Sequence, residues 1–247
     1  KTSYTDILKR FKKKSEVIII APETDNLSSK IYSHVSQNHK VLGCNISSLN
    51  TFSSKTKMLM KLRGLNLPIV ENYNLNLNYK GKIICKPDTS AGSENTFVTN
   101  KNNYEKKKGY LVQKFYNGRK GSFLMLCKNG KSKVICCNEQ LLNFKKEKIQ
   151  QVGCIMGGLE EYRNEIETLA NRISKNFKGL FGIIGVDVVK ENNKWLIIEI
   201  NPRFTSAYSG LHRSYSSLTI KNITDFYVHK KLNDKKPRFL KKYEYYF

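Results

Sequence analysis

The sequence predicts a mixed fold in two parts: a short α/β segment at the N-terminus, then a larger α+β body of antiparallel strands. Helix-like and apolar strand-like stretches alternate over the first 50 residues, the pattern of a small α/β unit. From residue 81 to about 140 apolar runs follow one another with no helical stretch between them. Two of these runs are joined by Asn129-Gly130, a strong type I′ hairpin signal.

The elements follow in order. Residues 4–14 (YTDILKRFKKK) read as a helix, and EVIIIAP at 16–22 as a parallel strand buried on both faces. Helix LSSKIYSHVSQN and strand HKVLGCN complete the α/β segment near residue 50. The stretch 54–66 is a helix with Gly64 at its end, stopped by Pro68. The strands GKIICKP, YLVQKFY, GSFLMLCK and KSKVICCNEQ come next, then a helix over 159–177 and a second hairpin of FGIIGVDVVK and KWLIIEINPR. The division expected is 1–50, 51–115 and 116–247. The chain begins without Met and carries no signal peptide, so the first strand of the α/β unit is expected to lie outside it.

The 247 residues allow one large or two small domains. No apolar run approaches the roughly 18 residues of a membrane span, and a transmembrane protein is excluded. Lys and Arg total 44 against 20 Asp and Glu, a formal charge of +24. Such an excess suggests nucleic acid or an anionic surface. Here the lysines are scattered along an Asn- and Ile-rich chain instead of forming a stripe, so neither partner is expected, and the positive field suits a polyanion such as ATP. Six cysteines without a CxxC spacing read as buried reduced thiols of a cytoplasmic protein, with adjacent Cys136 and Cys137 on opposite strand faces. Four histidines without HxxxH or HExxH argue against zinc.

The densest chemistry lies in GVDVVKENNKWLIIEINPRF. Glu199 and Asn201 are two apart and share a strand face, and Asp187 sits on the partner strand. Two carboxylates and an amide oxygen then converge, a hard-oxygen set suited to Mg²⁺ completed by waters and phosphate oxygens. An unpaired Glu199 inside LIIEI would be costly, which argues for such a role. In IICKPDTSAGSENTF, Lys86 ends an apolar strand before a loop of small residues whose backbone N–H groups can approach an anion. GxxxxGK[ST] and GxGxxG are both absent.

Strand parity sets a condition on this site. Asp187 stands opposite Glu199 if the turn centres on Asn193, giving a three-residue loop Asn192–Lys194 with an Asn in the left-handed region. A two-residue Asn192-Asn193 turn would face Asp187 away unless a β-bulge restored the register. The longer loop is the expectation.

Together these segments, over about residues 50–230, resemble the ATP-grasp superfamily of carboxylate–amine ligases. The stretch IIEINPRFTSAYSGL is similar to that of the small archaeal members that join tyramine to the γ-carboxylate of glutamate in methanofuran synthesis. The resemblance implies an ATP-grasp fold after a partial Rossmann-like domain, with ATP and Mg²⁺ (or Mn²⁺) as cofactors and a small-molecule amine and carboxylate as substrates. It puts Lys55 and Lys86 on the phosphates and Gln113, Lys114 and Tyr116 around adenine. Asp187, Glu199 and Asn201 fall on the metal ligands, and Arg203 falls on the Arg that contacts phosphate or the acyl phosphate. Lys86 and Arg203 are the catalytic pair. The hinge departs from the family at NGRKGS, where no Glu holds the ribose and Ser122 or a backbone group substitutes. Gly157-Gly158 matches a substrate-side loop, while Thr205, Tyr208 and Arg213 are the candidates for the substrate wall.

The implied chemistry is phosphorylation of a carboxylate to an acyl phosphate, then displacement of phosphate by the amine, with the 87–95 loop excluding water. No protein nucleophile is needed. Trp195 and Phe181 read as core residues, and the tail KKPRFLKKYEYYF as aromatics packed on the domain in preference to a nucleobase stack. The competing functions are another amino-acid ligase of cofactor biosynthesis and a basic nucleic-acid-binding module. Oligomeric state is not legible.

Overall fold

The computed structural model describes residues 14–72, 81–145 and 147–246. The helix expected over 4–14 lies almost entirely outside them. In the N-terminal segment β1 (Glu16–Val17) pairs in parallel with β2 (Lys40–Val41), and α1 (Leu27–Val35) lies between them in sequence. The expected burial of 16–22 on both faces does not hold: Ile18 is 41% and Ile20 64% exposed. Alternate side chains of an extended segment point to opposite sides, and among the described residues only one side of this one is packed.

Helix α2 (Ile46–Phe52) escapes the sequence pattern because Ser, Asn and Thr dominate it. Its signal is the cap, with Asn45 Oδ1 accepting from Ser48 N at 2.9 Å. Helix α3 (Lys55–Gly64) starts similarly, with Ser54 Oγ accepting from Lys57 N at 3.1 Å.

Among the described residues nine strands form one sheet. They are β3 (Lys82–Pro87), β4 (Phe97–Asn100), β5 (Tyr110–Lys114), β6 (Lys120–Lys128), β7 (Lys131–Lys145), β8 (Lys148–Met156), β9 (Gly182–Glu191), β10 (Lys194–Asn201) and β11 (Tyr243–Tyr246). Their order is β10-β9-β6-β7-β8-β4-β3-β5, with β11 pairing antiparallel to β8. The β6–β7 turn carries Asn129 and Gly130 at φ 50° and 78°, as type I′ requires. Strands β4, β8 and β11 were not anticipated, since their sequences are short or polar. The two halves of the sheet join where Phe97 pairs with Lys148, beside hydrogen bonds from Val98 N to Glu147 O at 2.7 Å and Ile149 N to Thr96 O at 3.2 Å.

Period two sorts the central strands onto two cores. Phe123, Met125, Cys137, Val186 and Val188 face α4 (Arg163–Asn176), in a cluster that also buries Trp195. Leu124, Leu126, Cys136 and Ile183 face α5 (Ala207–Ser214) and α6 (Ser217–His229), with Phe181 packed at the edge. Cys136 and Cys137 thus point to opposite faces, and all six cysteines are buried and unpaired. The tail packs on the domain: β11 extends the sheet, and Phe239 lies 5.6 Å from the Tyr215 ring. Phe239 also covers Gly157, where a Cβ would come within 2.1 Å of it. The space beside Gly157 is therefore filled by the tail.

The β9–β10 hairpin corrects the expected loop. Asn192 and Asn193, at φ 47° and 60°, make a two-residue turn, and Lys194 already pairs with Glu191. The register shifts between Ile197 and Glu199, so that Glu199 pairs with Asp187. A bulge at Ile198 therefore brings the carboxylates together by the other route.

Candidate active site

The sheet face that packs on α5 and α6 turns polar at one end. Ser122 on β6 stands opposite Asp187 on β9, which stands opposite Glu199 on β10. Gln140 on β7 donates from Nε2 to Asp187 Oδ1 at 2.8 Å, and Asn201 donates from Nδ2 to Oδ2 at 3.2 Å. Burial and the neighbouring Glu199 carboxylate push Asp187 up to about 7, against the hydrogen bond from Asn201 and the charges of Lys86 and Arg203. Two carboxylates meet in a half-closed space where ionising both is costly.

Cations face them from the other half of the sheet. Lys55, at the start of α3 and 6% exposed, lies 3.2 Å from Glu199 and donates to Ser90 O at 2.7 Å. The 88–96 loop is clamped to the same helix end: Asp88 accepts from Ser54 Oγ at 2.6 Å and from Thr56 N at 2.7 Å. Lys86, next to last in β3, is also 6% exposed, and its ammonium has no hydrogen-bond or ion-pair partner among the described residues. Burial pulls its ammonium down to about 8, with Glu199 and Asp187 opposing and Lys55 assisting.

These groups line one cavity of about 210 Å³ with Ser90, Gly92, Ser93, Lys120, Ser122, Gln140, Asn201, Arg203 and Thr205. A smaller cavity of about 50 Å³ shares Ile84, Lys86, Phe115, Lys120 and Ile198 with it and is closed by Gln113, Lys114 and Tyr116. Its lining is mostly apolar, and Lys86 and Lys120 stand at its side. Gln113 is 1% exposed, its Nε2 donating to Asn72, and the Tyr116 hydroxyl accepts from Glu71 N at 3.2 Å. Lys120, which also donates to Tyr116 O at 2.7 Å, joins the two cavities.

On the far wall, Gly185 lets the 202–206 loop lie on the sheet, since a Cβ there would come within 2.4 Å of Thr205 Cγ2. Thr205 lines the cavity, whereas Tyr208 and Arg213 do not. Tyr208 packs edge-on against Phe204 at 4.8 Å, and Arg213 lies over the Tyr243 ring at 5.9 Å. Ala207, Gly210, Leu211 and Ser214 are the buried side of α5, and Tyr208 and Arg213, at other positions around the helix, are carried onto Phe204 and Tyr243 instead of into the cavity. Arg203 lines the cavity, but its fork is engaged by Glu23, Nε and Nη2 each 2.8 Å from a carboxylate oxygen.

Sequence reading missed Glu23, Lys120 and Gln140. Gln140 carried a weak signal, a polar residue two past Asn138 in a long strand. Glu23 carried none, being 180 residues from its partner.

The donor set suits a hard divalent cation. Opposed carboxylates of Asp187 and Glu199, with the Oδ1 of Asn201 left free by its Nδ2 bond, offer oxygens only. A dication between them would offset both the burial and the repulsion from Glu199 that raise Asp187. Among the described residues no group of three or more His, Cys, Asp or Glu forms a closed metal cage, so waters or ligand oxygens must supply the rest of the shell.

Similar proteins are known by sequence and by structure. Tyramine–L-glutamate ligase of Methanocaldococcus jannaschii is 26% identical over 215 residues, 83% of this chain and 61% of the relative. That of Methanocaldococcus fervens is 27% identical over 225 residues, 88% of this chain and 68% of the relative. The chain thus spans roughly two thirds of these relatives' length. An ATP-grasp superfamily protein from Archaeoglobus fulgidus superposes with a TM-score of 0.75 at 24% identity, over 96% of this chain and 72% of that one. Biotin carboxylase from Campylobacter jejuni superposes with a TM-score of 0.74 at 13% identity, over 92% and 58%. With the ATP-grasp domain matching residues 52–207, well over half of its length and every strand from β3 to β10, this chain belongs to the ATP-grasp family.

Proposed function

We propose that this chain carries the nucleotide and activation site of an ATP-dependent carboxylate–amine ligase, with L-glutamate and tyramine as the first substrates to test. The observation that carries the reading is the meeting of Asp187 and Glu199 with Lys55 and Lys86 in one cavity, beside a smaller, mostly apolar one. The names of the two Methanocaldococcus relatives support the substrate pair.

An amine does not displace oxide from a carboxylate, so the acid must first be given a better leaving group. In this reading the carboxylate oxygen attacks the γ-phosphorus of ATP, releasing ADP, and the amine nitrogen then attacks the acyl carbon, releasing phosphate and a proton. Lys55 and Lys86 hold the polyphosphate and offset its charge. Gln113, Lys114 and Tyr116 wall the adenine. Asp187, Glu199 and Asn201 would hold a divalent cation, Mg²⁺ or Mn²⁺, which supplies Lewis-acid polarisation of phosphate oxygens. The 88–96 loop, pinned to α3 through Asp88, shields the acyl phosphate from water.

ADP release, followed with L-glutamate across a panel of amines, tests the reading. It predicts release that needs an acid, an amine and a divalent cation together. Thermal shift supplies the control, because saturation at 100 Kd adds about 2.7 kcal/mol. Stabilisation by oligonucleotides but not by ATP with Mg²⁺ would overturn it.

A further inference from the structure

Glu23 is the least expected residue near the cavity. It lies at the end of the segment that follows β1, with a side chain 4% exposed, and it grips Arg203 through a two-point contact. The loop around it is tightly built. Ser28 Oγ donates to Ala21 O at 2.9 Å and Pro22 O at 3.0 Å, Ser53 Oγ donates to Asn26 Oδ1 at 2.7 Å, and Asp25 and Asn26 hold φ of 53° and 56°. Non-glycine residues in the left-handed region are uncommon and persist when surrounding contacts fix them. Here those contacts fix the position of Glu23.

A guanidinium has five N–H donors in a rigid plane. Glu23 takes the Nε–H and one on Nη2, and Phe204 O takes one on Nη1 at 3.1 Å. One N–H on each terminal nitrogen is left, on a side chain that lines the cavity. We propose that Glu23 is a positioning residue: it holds Arg203 by the inner edge so that the outer edge meets an anionic oxygen of the acid substrate or of its acyl phosphate. This rests on the ligase reading. The N-terminal segment is fastened to the body independently, for instance through Asn45 N to Gly179 O at 3.0 Å, so the Glu23 side chain is not its only tether. The specificity of a bidentate fork depends on its orientation, which a mobile arginine loses while keeping its charge.

The test compares Glu23→Gln, Arg203→Lys and the double variant with the intact protein. Glu23→Gln is expected to raise KM for the carboxylate at least tenfold while changing ATP affinity by less than twofold. In the Arg203→Lys background it should do nothing further, because it acts only through that side chain. Equal losses for acid, amine and ATP, or additive losses in the double variant, would overturn the proposal. The Arg203 Nε–H resonance, assigned by its disappearance in Arg203→Lys, gives a readout independent of turnover. Glu23→Gln should speed its exchange with solvent at least tenfold, and unchanged exchange overturns the positioning role. If the intact protein turns over no acid and amine, the ligase reading fails while this resonance still reports on Glu23. Should Glu23→Gln not fold, Glu23→Asp, too short to span both contacts, is read in the same way.

Discussion

Replacing Asp187 by Asn should make the protein more stable and less able to bind a nucleotide with its cation. Burial and Glu199 raise this carboxyl from the ordinary 3.8 to about 7. The folded state therefore holds a proton that the unfolded state has lost between those values, and stability falls as pH rises through that window. The difference of about three decades in proton affinity, at about 1.4 kcal/mol each, makes the ionised form cost about 4 kcal/mol above pH 7. Asn cannot ionise. It keeps one acceptor for Gln140 or Asn201 and opposes the other donor with its own amide, a loss of about 1 kcal/mol. The net gain at pH 8 is then about 2–3 kcal/mol, a Tm rise of about 4–12 °C for a chain of this size. At pH 5 the native carboxyl is already protonated, and the gain should shrink below about 1 kcal/mol. Urea unfolding at both pH values, with chelator present, measures it. A gain of equal size at pH 5 and pH 8, or destabilisation at pH 8, would refute the carboxylate-repulsion argument.

Three further outcomes follow from the same geometry. Because Lys86 is held down to about 8 and polyphosphate would raise it, ATP binding should take up a proton near pH 8 and much less below pH 7. Calorimetry in two buffers of different ionisation enthalpy measures the uptake, and its persistence in Lys86→Met would assign the proton elsewhere. Lys55→Met removes the partner of Glu199 and the tie to Ser90 O, and should cost about 1–3 kcal/mol; amide exchange over 88–96 should accelerate, and an unchanged loop would show that Asp88 alone holds it. Gly185→Val drives a side chain into Thr205 and should cost about 1–3 kcal/mol in urea unfolding, with loss of activity from a displaced 202–206 loop.

What the sequence alone determined are features set by strong local preferences, although the Asn192-Asn193 turn and helix α2, also local, escaped it. Asn129-Gly130 specified its turn because few residue pairs adopt two positive φ values cheaply. The face shared by Glu199 and Asn201 followed from the two-residue period of a strand, and the positions of Lys55 and Lys86 from where α3 begins and β3 ends. What only the tertiary structure decided is every relation across the fold. Asp187 reaches Glu199 through a bulge at Ile198, which the turn sequence did not announce and which arises where the strand must adjust to its neighbours. Gln140 meets Asp187 across an intervening strand, and Glu23 meets Arg203 across 180 residues. Tyr208 and Arg213 leave the cavity although they lie in the right segment, because helix α5 turns their side chains elsewhere. Local conformational preference is a property of neighbouring residues. The orientation of a side chain toward a distant partner is a property of packing, and it exists only once the sheet has closed.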